Sequence, residues 1–253
     1  MAEDAEISPV QEFIINAVFD YTVVVDNYMA FVTGVWNTVT LVALSLLIGG
    51  LISVPLAVLR AERHPIFSPM IWCYTYFLRG TPLLIQTFLI YYGLGQFEVV
   101  RDSFAWPILR EAWWCALIAF SLNSAAYTTE IFRGAIEATP YGEIEAAKAA
   151  GMSRLTMLRR IILPSAFRRA LPAYSNEVIF MLHGSVVAST VTVIDILGAG
   201  RFVNGKYYIY LEGFLTAAML YMILVYMISR GFKLWEHHWH AHLRPRSTPE
   251  PAE

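Results

Sequence analysis

Five long apolar stretches dominate the chain, at about 31–59, 70–97, 112–133, 171–194 and 210–232. Each is near or above the roughly 20 residues that a helix needs to cross the hydrocarbon core of a bilayer. The pattern predicts an all-α membrane protein with about five transmembrane helices. Composition agrees: 57% of the 253 residues are hydrophobic and 15% charged, with mean hydropathy +0.51, where a soluble domain carries about 25% charge. Such a chain is neither disordered nor a soluble enzyme with a normally solvated surface. A net charge of −2 leaves no global basic field for nucleic acid. Cys73 and Cys115 both lie in apolar runs and read as buried small hydrophobes, not as a disulfide framework or a zinc site.

The ends are less apolar. Residues 1–30 hold six acids and no Lys or Arg, so they lack the basic region of a secretory signal. Phe13, Ala17 and Tyr21, with Val10, Ile14 and Val18, follow a helical period, which fits a short amphipathic helix lying on the membrane. The segment 236–253 reads as a tail whose Pro-, Ser- and Glu-rich part beyond Arg244 is disordered.

Five spans place the termini on opposite sides. Thirteen of the 18 Lys and Arg fall on one side and four on the other, with Arg79 inside the second stretch. The positive-inside rule therefore predicts an N-terminus outside and a C-terminus in the cytoplasm. The largest cytoplasmic loop is then 134–170. In it, Thr139-Pro140 reads as an N-cap followed by Pro at the first helical position. The stretch 143–150 is rich in Ala and Glu. Gly151 stands where a left-handed residue would stop the helix. Ser153 can cap a second short helix over 154–162, with Pro164 ending it. Geometry alone leaves a plain surface linker as the alternative.

Residues 145–164 read EAAKAAGMSRLTMLRRIILP. This resembles the E-A-A-x3-G-x9-I-x-L-P signature of permease subunits of bacterial ABC importers, without departure, with Glu145, Ala146, Ala147 and Gly151 on the signature positions. The runs FLRGTPLLIQ at 77–86 and LNSAAYTTEIFRGAI at 122–136 look like polar amino-acid permeases. LPAYSNEVIFMLH at 171–183 is similar to the M-type subunits for histidine, lysine, arginine and ornithine uptake, to which opine permeases are close relatives. The resemblance covers roughly 31–235. It implies a type I ABC importer permease fold in the bacterial inner membrane, with a periplasmic N-terminal segment ahead of a permease domain at 31–235. It also implies that the loop 134–170 carries a coupling helix docking on a cytoplasmic ATPase. The partners it implies are a second permease subunit, related or identical, a pair of ATPase subunits and a periplasmic amino-acid-binding protein. The cargo is a polar, basic amino acid or, alternatively, an opine.

The residues agree on energy supply. The nearest approach to a phosphate loop, GRFVNGKY at 200–207, ends in Tyr207 where Ser or Thr should hold magnesium, and no strand is predicted before it. The chain needs no cofactor of its own; ATP and Mg²⁺ belong to the partner ATPase.

Ionisable groups at membrane depth usually face a cavity or a partner. Arg79 lies roughly 15 Å into the second stretch at about 1.5 Å per residue. Gly80 loosens the helix there, and Thr81-Pro82 reads as N-cap and first turn of a new half-helix. Its positive end suits an α-carboxylate. Arg79, Thr81 and Gln86, the last residue of the FLRGTPLLIQ run, are candidate substrate contacts. Asn123, Tyr127 and Glu130 share one helix face; the first two are candidate contacts, while Glu130 is expected to pair with Arg133. Glu177, about 9 Å along its helix from the cytoplasmic end, can receive a cationic side chain; its competing reading is a structural pair with a basic residue. His183 reads as a hydrogen-bonded interior histidine. Thr128, Thr129, Ser189 and Thr190 are expected to bond their own helix backbone. His238 and His242 stand four apart but lack a carboxylate or cysteine to complete a metal site, and Trp235 and Trp239 fit an interfacial anchor. No nucleophile–base set supports a membrane enzyme or assembly protein, and a secondary transporter would need no ATPase-docking loop.

Overall fold

The computed structural model describes residues 21–209 and 211–239. The amphipathic pattern expected ahead of residue 21, the tail after Arg244 and His242 lie outside them. Among the described residues every regular element is helical.

The first apolar stretch is one long helix, α2 (Tyr28–Ala61), preceded by the short α1 (Tyr21–Asp26). The second is broken where expected. α3 (Phe67–Gly80) stops, and α4 (Leu83–Phe88) starts afresh and runs on through a π turn at Leu89–Gly93. Proline supplies no N–H and disfavours helix at the residue before it, so the chain cannot run helical through Thr81-Pro82. The N-cap is Pro82, however, not Thr81, and no side chain caps it. Two short turns, α5 (Glu98–Arg101) and α6 (Trp106–Leu109), lead into α7 (Ala112–Glu137).

The following segment departs from expectation in two places. α8 (Tyr141–Ala149) has Pro140 as its N-cap, without a side-chain cap bond. Thr139 instead donates to the Ile136 carbonyl at 2.7 Å and accepts from Arg169 at 2.7 Å. Ser153 does cap α9 (Arg154–Met157), accepting from Thr156 N at 3.3 Å. Pro164 does not end that helix. The chain widens into a π turn at Leu158–Ile162 and continues as α10 (Leu163–Gly184). Proline is tolerated in the first turn of a helix, and the wider turn before it relaxes the ladder that Pro164 could not have joined.

α10 tightens into 3₁₀ helix at Ser185–Val191 and ends on Thr192, whose φ is 68°. α11 (Ile196–Tyr207) occupies what reads from sequence as a loop. Its start is fixed by Asp195, which is fully buried and accepts from Gly198 N at 2.7 Å. α12 (Glu212–Trp239) completes the chain.

Two helices, Tyr28–Ala61 and Glu212–His237, are long and apolar enough by themselves to cross a membrane; the pair Arg154–Val191 and Ile196–Tyr207, bent by 45°, would make a third. The expected five also need the broken second stretch, whose α3 has only 14 residues, and α7. Ser121, Asn123, Ser124, Thr128 and Thr129 of α7 are all buried. A helix surrounded by protein instead of lipid can carry such residues, which lower its apolarity.

The chain divides into two compact units. Of the described residues, one holds 21–45 with Thr81–Ser121 and Met181–Val225; the other holds Leu46–Gly80, Leu122–Phe180 and 226–239. The first unit centres on Phe31, Ala199 and Val203, with Val23, Val24 and Leu220 against them. Asp195 is anchored there by Tyr221, whose hydroxyl donates to Oδ2 at 3.2 Å. Cys115 is buried, but Cys73 in the other unit is exposed, contrary to expectation.

The second unit is packed through small residues. A Cβ on Gly49 would lie 2.9 Å from the Ser124 side chain, so α2 and α7 approach almost backbone to backbone. Ala57, Ala135, Ala166 and Ala170 surround Phe132, whose ring meets Phe167 at 4.8 Å.

Candidate functional site

In the second unit, α3 and α7 are stitched along the face that carries Asn123, Tyr127 and Glu130. Asn123 Nδ2 donates to the Leu78 carbonyl at 3.4 Å, and the Tyr127 hydroxyl to the Arg79 carbonyl at 3.3 Å. Glu130 Oε1 accepts from Thr75 Oγ1 at 3.0 Å. The periodicity 123, 127, 130 thus turns three polar side chains toward one neighbouring helix. The Arg79 guanidinium lies over the Tyr127 ring, 5.2 Å from its centroid, a cation–π contact. Glu177 is buried, 6% exposed. Four of the six candidate contacts, Arg79, Asn123, Tyr127 and Glu177, therefore lie in this unit. Thr81 and Gln86 belong to the other, where Gln86 Nε2 donates to Thr81 O at 3.0 Å and to Thr81 Oγ1 at 2.8 Å.

Glu130 pairs with Arg133 as expected, at 2.8 Å, but also with Arg60 at 2.7 Å. The Arg60 contact joins residues 70 apart, so no local spacing announces it. The role of Arg169 likewise rests on partners 30 or more residues away, which no local spacing announces. Its guanidinium donates to the Ala135 carbonyl at 3.1 and 3.0 Å and to Thr139, clasping the end of α7 to the start of α10. His183 is exposed, not interior. Thr129, Ser189 and Thr190 bond backbone carbonyls of their own helices. Thr128 does not; its buried hydroxyl has no hydrogen-bond partner, nor do those of Ser121 and Ser124.

The elbow after α8 is a Schellman cap. Gly151 has φ +73°, its N–H donates to Lys148 O at 2.9 Å, and Met152 N donates to Ala147 O at 3.1 Å. Ala147 faces inward at 2% exposure, whereas Glu145 and Ala146 are exposed. One turn of helix thus offers a carboxylate and a small residue outward while its buried alanine fixes the seat. The stretch 200–207 lies within helix α11, so its backbone cannot wrap a phosphate.

The family model described as binding-protein-dependent transport system inner membrane component matches residues 49–235, including the 145–164 signature and the stitched α3–α7 face. The chain belongs to this family. Among its relatives, the histidine/lysine/arginine/ornithine transport system permease protein HisM of Escherichia coli K12 is 45% identical over 217 residues, 85% of this chain and 91% of HisM. The nopaline transport system permease protein NocM of Agrobacterium fabrum is 40% identical over 238 residues, 92% of this chain and 99% of NocM. A crystal structure of an amino acid ABC transporter with histidines superposes with TM-score 0.77 at 30% identity, covering 87% of this chain and 98% of that one. The methionine ABC transporter MetNI, at 20% identity and TM-score 0.69, shares the fold. The chain is a transport permease of the inner membrane, not an enzyme, and its all-α fold is that of type I ABC importer permeases.

Proposed function

We propose that this permease is the translocating subunit of an ATP-driven importer for a basic amino acid of the histidine, lysine, arginine and ornithine type. The observation that carries the reading is Glu177, a carboxyl group 6% exposed on a helix of the permease core, in the same unit as the Arg79 guanidinium that lies over the Tyr127 ring. A basic amino acid brings an opposite charge at each end. Its α-carboxylate would take Arg79 and its cationic side chain Glu177, and Asn123 and Tyr127 border the Arg79 end. HisM, named for the four basic amino acids, supports this cargo. NocM and the octopine permease OccM of Rhizobium radiobacter, 41% identical over 236 residues, keep an opine as the second reading.

Energy enters through other chains. ATP and Mg²⁺ are bound by a pair of ATPase subunits, and the exposed Glu145 and Ala146 with the Gly151 elbow form the coupling surface. A second permease subunit and a periplasmic binding protein complete the assembly. Affinity purification of this chain from its own membranes, with identification of the co-purifying subunits, tests the assembly. Recovery of an ATPase and a second permease supports it, and their absence from an intact preparation argues against it.

Thirteen basic residues against four support an outside N-terminus and a cytoplasmic 134–170 segment. A phosphatase that is active only outside the cytoplasm should therefore work when fused at residue 105 and fail at residue 150. The opposite pattern overturns the orientation. Gly151→Val should strain the elbow, because a β-branched residue is disfavoured at φ +73°. The spans should still insert, while ATPase co-purification and transport fall together. Normal values of both would remove the elbow from coupling.

A further inference from the structure

The turn between α2 and α3 plays no part in the proposed pathway, yet it is strained. Arg63 has φ 53°. It closes the end of α2 with a second Schellman pattern, Arg63 N donating to Arg60 O at 3.1 Å and His64 N to Leu59 O at 3.3 Å. Glycine takes this conformation freely; an arginine does not. A strained residue with a charged side chain points to a use for that charge.

The surroundings indicate which use. Arg60, Arg63, His64, Ser68, Arg133 and Glu137 line a cleft of about 490 Å³. Glu130 fixes Arg60 and Arg133 from behind, and Arg133 also binds Glu137. A guanidinium has five N–H donors; Arg60 spends only Nε on Glu130 and Nη1 on Ser68 O, so donors remain. Arg63 makes no ion pair among the described residues. Three arginines against Glu130 and Glu137 leave the cleft net positive. Beside it, Ile66, just ahead of α3, is 65% exposed, and α3 begins with exposed Phe67 at 47% and Met70 at 63%, followed by the stacked pair Trp72 and Tyr76. A soluble anion would use the arginines and leave this apolar face idle; a lipid uses both.

We propose that this cleft binds the phosphate of an anionic membrane phospholipid, with the headgroup on Arg60, Arg63 and Arg133 and the acyl chains along Ile66, Phe67 and Met70. Basic pockets between membrane helices hold anionic headgroups in this way. The site stands on the cleft alone and does not depend on the cargo or orientation proposed above.

The test uses the full-length permease in mixed micelles of phosphatidylglycerol and phosphatidylcholine at equal concentration, with retained lipid read by native mass spectrometry. Wild type should retain phosphatidylglycerol in preference. Arg63→Gly suits the left-handed turn, so its melting temperature should rise while phosphatidylglycerol retention falls about tenfold, the effect of losing one charge-assisted bond. Arg63→Lys should keep retention, Lys233→Gln should leave it unchanged, and excess inorganic phosphate should not release the lipid. Wild-type retention by Arg63→Gly overturns the proposal, as does an equal loss in Lys233→Gln. Full release by inorganic phosphate would make it a site for a free anion, and loss of ATPase co-purification with lipid retained would make it a protein contact; either result overturns it as well.

Discussion

Glu130→Leu is expected to destabilise the permease by about 3 kcal/mol or more, the usual effect of removing one partner from a buried charge network. Glu130 holds Arg60 at 2.7 Å and Arg133 at 2.8 Å, with side-chain exposures of 12%, 15% and 28%. Arg133 keeps Glu137 as a second partner, so the damage concentrates on Arg60, left with a charge in a mostly buried position and a single backbone acceptor, Ser68 O. Thr75 loses its acceptor as well. Removing both charges should therefore repair most of the loss, because an apolar replacement of a buried pair is often near neutral. The melting temperature of purified Glu130→Leu should fall clearly below wild type, and that of Glu130→Leu with Arg60→Met should recover most of the difference. Equal melting of the single variant and wild type would mean that the network does not hold α2, α3 and α7 together.

Glu177→Gln is expected to weaken transport of basic amino acids by about ten- to a hundredfold, with little change for a neutral one. Glutamine keeps the size and removes the charge, and a hydrogen bond to a charged group is worth about 1.5–3 kcal/mol. The melting temperature of the variant separates a lost structural role from a lost contact with cargo. Selection also occurs on the binding protein, so the comparison belongs in the reconstituted importer with arginine, histidine and ornithine. Unchanged uptake and ATP turnover for all three would make Glu177 structural. An equal fall for a neutral amino acid would make it a packing or gating residue.

Features written in local chemistry were legible before the structure. Thr81-Pro82 broke the second stretch because a proline restricts its own residue and the one before it. Gly151 took a positive φ because the helix ended beside the one residue type that adopts it freely, and Ser153 capped α9 as its spacing to Thr156 allows. What failed was decided by distant partners. Thr139 has the composition of an N-cap, yet Arg169, 30 residues away, engages its hydroxyl. Pro164 reads as a stop, but the π turn ahead of it lets the chain stay helical. α11 reads from sequence as a connection because its glycines and polar residues mask a helix whose start depends on the buried Asp195 and on Tyr221. For the candidate site, residue types in the apolar stretches singled out Arg79 and Glu177, and helical spacing gave the face of Asn123 and Tyr127. Nothing in the spacing foretold that Arg60 would share Glu130 with Arg133.

The central claim is tested most directly by uptake into vesicles that contain this permease with its partner permease and ATPase, loaded with ATP on the ATPase side and given binding protein and labelled arginine outside. The account predicts accumulation of arginine against its gradient that requires ATP, the binding protein and this chain together, and that is competed by ornithine and histidine. Arginine accumulation that persists without ATP, or ATP-driven accumulation of an opine but of no basic amino acid, would contradict it.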